Sequence, residues 1–117
     1  MTEEQAWSYL AGMIDGEGCV YTNPNQRCLT ISTTEEDLLR GLYEVLDFLG
    51  IAHSTSVQQK GRVEKGHAIC YDVRIMRFEG FVLIYENCPL RSTRKRGKLR
   101  TMLLSYKRKV YTEVQAP

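Results

Sequence analysis

Asp15 and Glu17 are the residues whose type and spacing best suit chemistry. They flank Gly16, and Gly18 follows them. The stretch before them, Glu3 to Asp15, places Trp7, Leu10, Ala11 and Ile14 at i, i+3, i+4 and i+7, the apolar stripe of an amphipathic helix. Both acids therefore stand where a helix ends. A helix C-terminus carries partial negative charge, and its last carbonyls lack intrahelical donors. Two carboxylates there call for a remedy. A hard divalent cation, which takes carboxylate and backbone oxygens, is one. An acidic turn in water, with Asp15 fixing the local backbone, is the other. The same stretch is rich in small residues. Gly12 and Gly16 lie four apart on one helical face, and with Ala11 they let a second backbone approach closely, flanked by Trp7 and Leu10.

The elements that must position these acids follow from pattern. Thr2 suits the N-cap of the first helix, and Gly16 and Gly18 end it. Cys19 to Thr22 reads as a short strand, Asn23-Pro24-Asn25-Gln26 as a turn, and Arg27 to Thr33 as a strand with Leu29 and Ile31 on one face and Thr30 and Ser32 on the other. A second helix runs from about Glu35 to Leu49, with capping-box spacing at Thr33 and Glu36 and Gly50 as the residue past its end. Ala52 to Gln59 and Ala68 to Ile75 form a second hairpin around a polar loop, Lys60 to Gly66. Helices over about Arg77 to Asn87, stopped by Pro89, and about Lys95 to Val110 complete the chain. The predicted class is α+β, in the order α-β-β-α-β-β-α-α, with four antiparallel strands and the helices on one face. The other sheet face is left open and carries Ser, Thr, Asn, Gln and Arg, which suits solvent or a ligand.

The 117 residues fit one domain, 1–117, with an ordinary 43% of apolar residues, which argues against wholesale disorder. The longest apolar run is Phe81 to Tyr85, too short to span a membrane, and the acidic N-terminus is unlike a signal peptide, so an intracellular location is expected. Cys19, Cys28, Cys70 and Cys88 are scattered, as reduced thiols are, without the spacing of a zinc site. The formal net charge of +2 hides an asymmetry: residues 1–88 carry a net −6 and residues 89–117 a net +8. A basic C-terminal block suits a polyanionic partner, or else a solvated basic helix.

The segment Tyr9 to Gly18, Y-L-A-G-M-I-D-G-E-G, resembles the signature of the LAGLIDADG homing endonucleases, with Met13 for the usual Leu and Gly16-Glu17 for Ala-Asp. The element order and the T-x-x-D-L-L start of the second helix, Thr34 to Leu39, are also similar to that family, so the resemblance covers roughly Ala6 to Leu104. It implies a four-stranded antiparallel saddle sheet and a site-specific double-strand DNA endonuclease of a mobile genetic element, acting in intron homing. One motif per chain implies a homodimer, with Trp7, Leu10, Ala11, Gly12, Ile14 and Gly16 at the interface, and a near-palindromic target. A non-cleaving binder on the same scaffold, an RNA-splicing maturase or a DNA-binding regulator, is the alternative.

The resemblance also distributes roles. Glu17 becomes the direct ligand of Mg²⁺ (Ca²⁺ or Mn²⁺ able to substitute), Gly16 lends a carbonyl, and Asp15 supports the turn. The basic residue near the scissile phosphate is Lys95 first and Arg94 second. The sheet reads DNA through Tyr21, Asn23, Asn25, Gln26, Arg27, Thr30 and Ser32 of the first hairpin, and Ser56, Gln58, Lys60, Arg62, His67, Asp72 and Arg74 of the second. Lys65, Arg91 and Lys98 contact phosphates. His53 and His67 are expected to line a groove or surface, and not to bind metal. Trp7, Phe78 and Phe81 belong to core or interface.

Overall fold

The computed structural model describes residues 1–58 and 68–106. Eight elements follow in the order α1 (Glu3–Glu17), β1 (Gly18–Tyr21), β2 (Cys28–Thr33), α2 (Glu36–Phe48), β3 (Ser54–Gln58), β4 (Cys70–Ile75), α3 (Phe78–Asn87) and α4 (Thr93–Leu104). The four strands form one antiparallel sheet in the order β1-β2-β4-β3, so the second strand of each hairpin lies at the centre. The described part is α+β, as expected. The expected loop residues Lys60, Arg62, Lys65 and His67, and the expected end of the last helix up to Val110, lie outside the described residues.

Each boundary has a local cause. Thr2 and Gln5 form a full capping box at the start of α1. Gly18 ends α1 by turning to extended backbone at φ −78° and ψ 139°; its N–H makes the last helical bond, to the Ile14 carbonyl, and a Cβ there would stand 2.6 Å from that oxygen. Gly50, at φ 71°, closes α2: its N–H donates to the Asp47 carbonyl and that of Ile51 to Leu46, the paired bonds of a Schellman end. The expected capping box at Thr33 and Glu36 does not form. The Thr33 hydroxyl instead accepts from the Glu35 N–H, and Glu35 occupies the N-cap without a side-chain bond. The last helix starts earlier than its apolar stripe indicates, because Ser92 caps it by accepting from the Lys95 N–H.

The core lies between the helices and one sheet face. Leu29, Ile31, Val73 and Ile75 from the sheet are fully buried against Leu10 and Ile14 of α1, Leu42 and Leu46 of α2, Phe81 and Ile84 of α3, and Leu99 and Leu103 of α4. This burial concerns four of the residues expected at the interface. Trp7, Leu10, Ala11 and Ile14 are at most 7% exposed within the single chain, because the apolar stripe of α1 faces the chain's own core. Of the six residues, Gly12 and Gly16 face outward.

Candidate functional site

The end of α1 and the start of α4 meet in a polar seam. The two Asp15 carboxylate oxygens accept from the backbone N–H groups of Arg91, at 2.9 Å, and Ser92, at 3.0 Å. Those amides lie at the N-terminus of α4, where partial positive charge favours an anion. Lys95 comes from the first turn of α4 and is 8% exposed. Its Nζ donates to the carbonyls of Ile14, at 2.9 Å, and Asp15, at 2.6 Å. A cation thus sits on the negative end of α1, and an anion on the positive end of α4. The electrostatic problem posed by Asp15 in the sequence is solved inside the chain.

Glu17 is treated differently. It is exposed and has no hydrogen bond or ion pair among the described residues. It opens on a groove of about 420 Å³ lined by Gly16, Cys19, Tyr21, Arg94, Lys95 and Lys98. The structure therefore brings together Glu17, Gly16 and both expected basic residues, and adds Lys98, one turn along α4 from Arg94. A second groove, of about 580 Å³, runs from Gly12, Met13 and Gly16 past Glu17 to Ser32, Thr33 and Leu38. A Cβ built on Gly12 or Gly16 meets nothing within 4 Å, so packing inside the chain does not demand glycine at either position.

The strand register fixes the open face of the sheet. Residues directly opposite in an antiparallel ladder share a face. The pairs Cys19–Thr30, Thr30–Arg74 and Arg74–Ser54 form one row, and Ser32–Asp72 and Asp72–Ser56 form the next. Tyr21 opposite Cys28 and Cys70 opposite Gln58 extend the same face. The expected readers Tyr21, Thr30, Ser32, Ser56, Asp72 and Arg74 all stand on it, and Gln58 holds a register position on it. A hollow of about 320 Å³ between Tyr21, Gln26, Thr30, Asp72 and Arg74 indents this face. Asn23, Asn25 and Gln26 are exposed on the β1–β2 turn, where the Asn23 side chain also accepts from the Asn25 N–H. Arg91 is exposed beside the seam.

Two expected readers have other duties. Arg27 leaves the sheet face: its guanidinium donates to the Ser105 hydroxyl and carbonyl and lies 4.0 Å from the centre of the Tyr106 ring. It thereby closes the C-terminus of α4. Asp72 is on the face but 0% exposed, and it accepts from the Ser32 hydroxyl at 2.6 Å. It shapes its neighbours and presents no open carboxylate. Sequence reasoning missed Cys19, Cys28, Ser54 and Cys70 on this face. Cysteine reads as apolar in a pattern, which hid three of them, whereas the strict alternation of Ser54 with Ser56 was a usable signal. His53 stacks on Tyr43 with ring centroids 5.3 Å apart and pairs with Asp47 at 2.8 Å. Among the described residues no three His, Cys, Asp or Glu side chains cluster as a metal site, and no helix is long and apolar enough to cross a membrane.

Against this geometry stands one match among known proteins: the family model described as homing endonuclease covers residues 3–101. The chain belongs to the homing endonuclease family. DNA binding and site-specific nuclease activity are what that membership implies. The matched span takes in the α1–α4 seam, the Glu17 groove and all four strands. No curated protein and no solved structure matches the chain.

Proposed function

We propose that this homing endonuclease is of the LAGLIDADG type and cuts both strands of a near-palindromic DNA site as a homodimer that uses Mg²⁺. The observation that carries this reading is Glu17. It is the one acid of the motif left unpartnered among the described residues, and it opens on a groove with Arg94 and Lys98 on its far side. The polar sheet face lies close by, since β1 starts at Gly18 and Ser32 lines a groove that Glu17 also borders.

The Glu17 carboxylate and the Gly16 carbonyl are hard oxygens of the type Mg²⁺ takes. One chain offers a single free carboxylate there, so these residues fit half of a site. A second copy packed on Gly12 and Gly16 would bring the matching acid, and the absence of any intrachain reason for those glycines supports that packing. Bound there, the metal supplies Lewis acidity and a more acidic water. The chain's own residues do the rest. Glu17 provides the carboxylate. Arg94 and Lys98 hold the phosphate and offset the charge that grows on it during displacement. Lys95 commits two of its three N–H groups to the last carbonyls of α1, so it acts as a positioning residue that fixes where Glu17 emerges. Asp15 ties the same turn to α4, and the sheet face takes the bases of the major groove.

The test is cleavage of a randomised duplex library in Mg²⁺ by the native chain and by Glu17→Gln, with oligomeric state measured alongside. Cutting by a dimer, lost in the variant, is the expected result. Sequence-specific binding with no cutting by the native chain would replace this reading with the non-cleaving binder. Cutting retained by Glu17→Gln would remove Glu17 from the chemistry.

A further inference from the structure

The row Ser32–Asp72–Ser56 crosses three strands on the open face, and its hydrogen bonding has a direction. The Ser32 hydroxyl donates to the Asp72 carboxyl oxygen at 2.6 Å. A serine hydroxyl has one proton, so the Ser32 proton is committed inward. What Ser32 turns outward is lone pairs. Ser32 is half-buried and lines the second groove, which Glu17 also borders. On the far side of Asp72, the Ser56 hydroxyl is buried without a partner among the described residues.

We propose that Asp72 fixes Ser32 as a hydrogen-bond acceptor, and that Ser32 thereby selects a base with an exocyclic amino group, adenine or cytosine, next to the cut. The inference rests on the proposed DNA-reading role of the sheet. In the major groove, adenine N6 and cytosine N4 donate, whereas guanine and thymine present acceptors at the equivalent positions. Every base pair presents one amino group to the major groove, so the selection is of strand: A or C on the strand facing β2, and G or T on its complement. Asp72 is a positioning residue here. It touches no base and acts by setting the direction of the Ser32 bond.

The experiment is selection of bound duplexes from a randomised library in Ca²⁺ by the native chain, Ser32→Ala and Asp72→Asn. The native chain is expected to show one position per half-site restricted to A or C by roughly fivefold to tenfold, the lower part of the range for a good base contact. Ser32→Ala is expected to flatten that position and leave the others unchanged. Asp72→Asn can donate to Ser32, which frees the hydroxyl to donate outward, and G or T should then be admitted at the same position. Ser32→Ala is a small change on a strand and keeps the test valid if Asp72→Asn fails to fold. A native chain that enriches a site whose every position survives Ser32→Ala would overturn this inference alone. A native chain that enriches no sequence would overturn the proposed function, and this inference with it.

Discussion

The α1–α4 seam and the open face of the sheet are both polar, and they are built on opposite rules. In the seam, Asp15 takes two backbone donors, Lys95 gives to two carbonyls, and Arg96 donates to the Tyr85 carbonyl while lying 4.1 Å from its ring centre. On the open side, Arg94 and Lys98 are exposed, and among the described residues Glu17 has no partner and the Ser56 hydroxyl is buried unpaired. Polar groups that hold a fold together are satisfied by it, and groups kept for a ligand are not. Two acids of one motif, two residues apart, fall on opposite sides of that line.

The largest effects should separate the two regions. Glu17→Gln is expected to lower cleavage by about a thousandfold or more, the order for losing several kcal/mol of charge stabilisation, with no shift in the urea midpoint. Lys95→Met should do the reverse in kind. It leaves two carbonyls with one donor fewer in a buried place and is expected to cost about 2–3 kcal/mol of stability, read as a lower urea midpoint. Its cleavage should recover at low temperature, where the folded fraction is restored. If Lys95→Met is as stable as the native chain but inactive, Lys95 belongs with Glu17 on the chemical side of the comparison.

A smaller effect sharpens the boundary at Arg27. Its contacts to Ser105 and Tyr106 predict that Arg27→Ala costs about 1 kcal/mol, from hydrogen bonds and a cation–π contact at a part-exposed site. Selected DNA sites should be unchanged, because the guanidinium does not stand on the open face. A changed base preference would return Arg27 to the readers. This residue also marks where sequence stopped being informative. The period-two pattern of Thr30 and Ser32 and of Asp72 and Arg74 was enough to place them on the open face, since alternation and pairing fix a face. The family resemblance assigned Lys95 and Arg94 to the same phosphate as Glu17, and all three line one groove. Arg27 stands at the strand's first turn, where alternation has not begun, and its partner lies 78 residues away. The same distance hid the difference between Asp15 and Glu17. Only the arrival of Arg91, Ser92 and Lys95 at the end of α1 distinguishes them. The inward stripe of α1 was legible, but whether it faced its own core or a second chain depended on tertiary packing.

The last effect lies under the seam and is a matter of pH. Cys88 is 3% exposed, and its thiol is 3.6 Å from the Trp7 carbonyl. Burial, and then the nearby Asp15 carboxylate, push it up from 9.0 to about 12. Between those values the unfolded chain releases this proton and the folded chain keeps it. The unfolded state then binds fewer protons, so the contribution of Cys88 is whole below pH 9 and declines as pH rises towards 12. Cys88→Ala lacks this dependence. Measured by urea unfolding, the stability difference between the native chain and Cys88→Ala should therefore narrow steadily above pH 9, with the native chain losing ground. In the folded protein, iodoacetamide should modify exposed Cys19 well before Cys88, because reaction needs both access and thiolate. A difference that stays constant from pH 8 to 11, or early labelling of Cys88, would show that water reaches the floor of the seam. Asp15 would then be held by solvent as much as by α4, and the contrast with Glu17 would be one of degree.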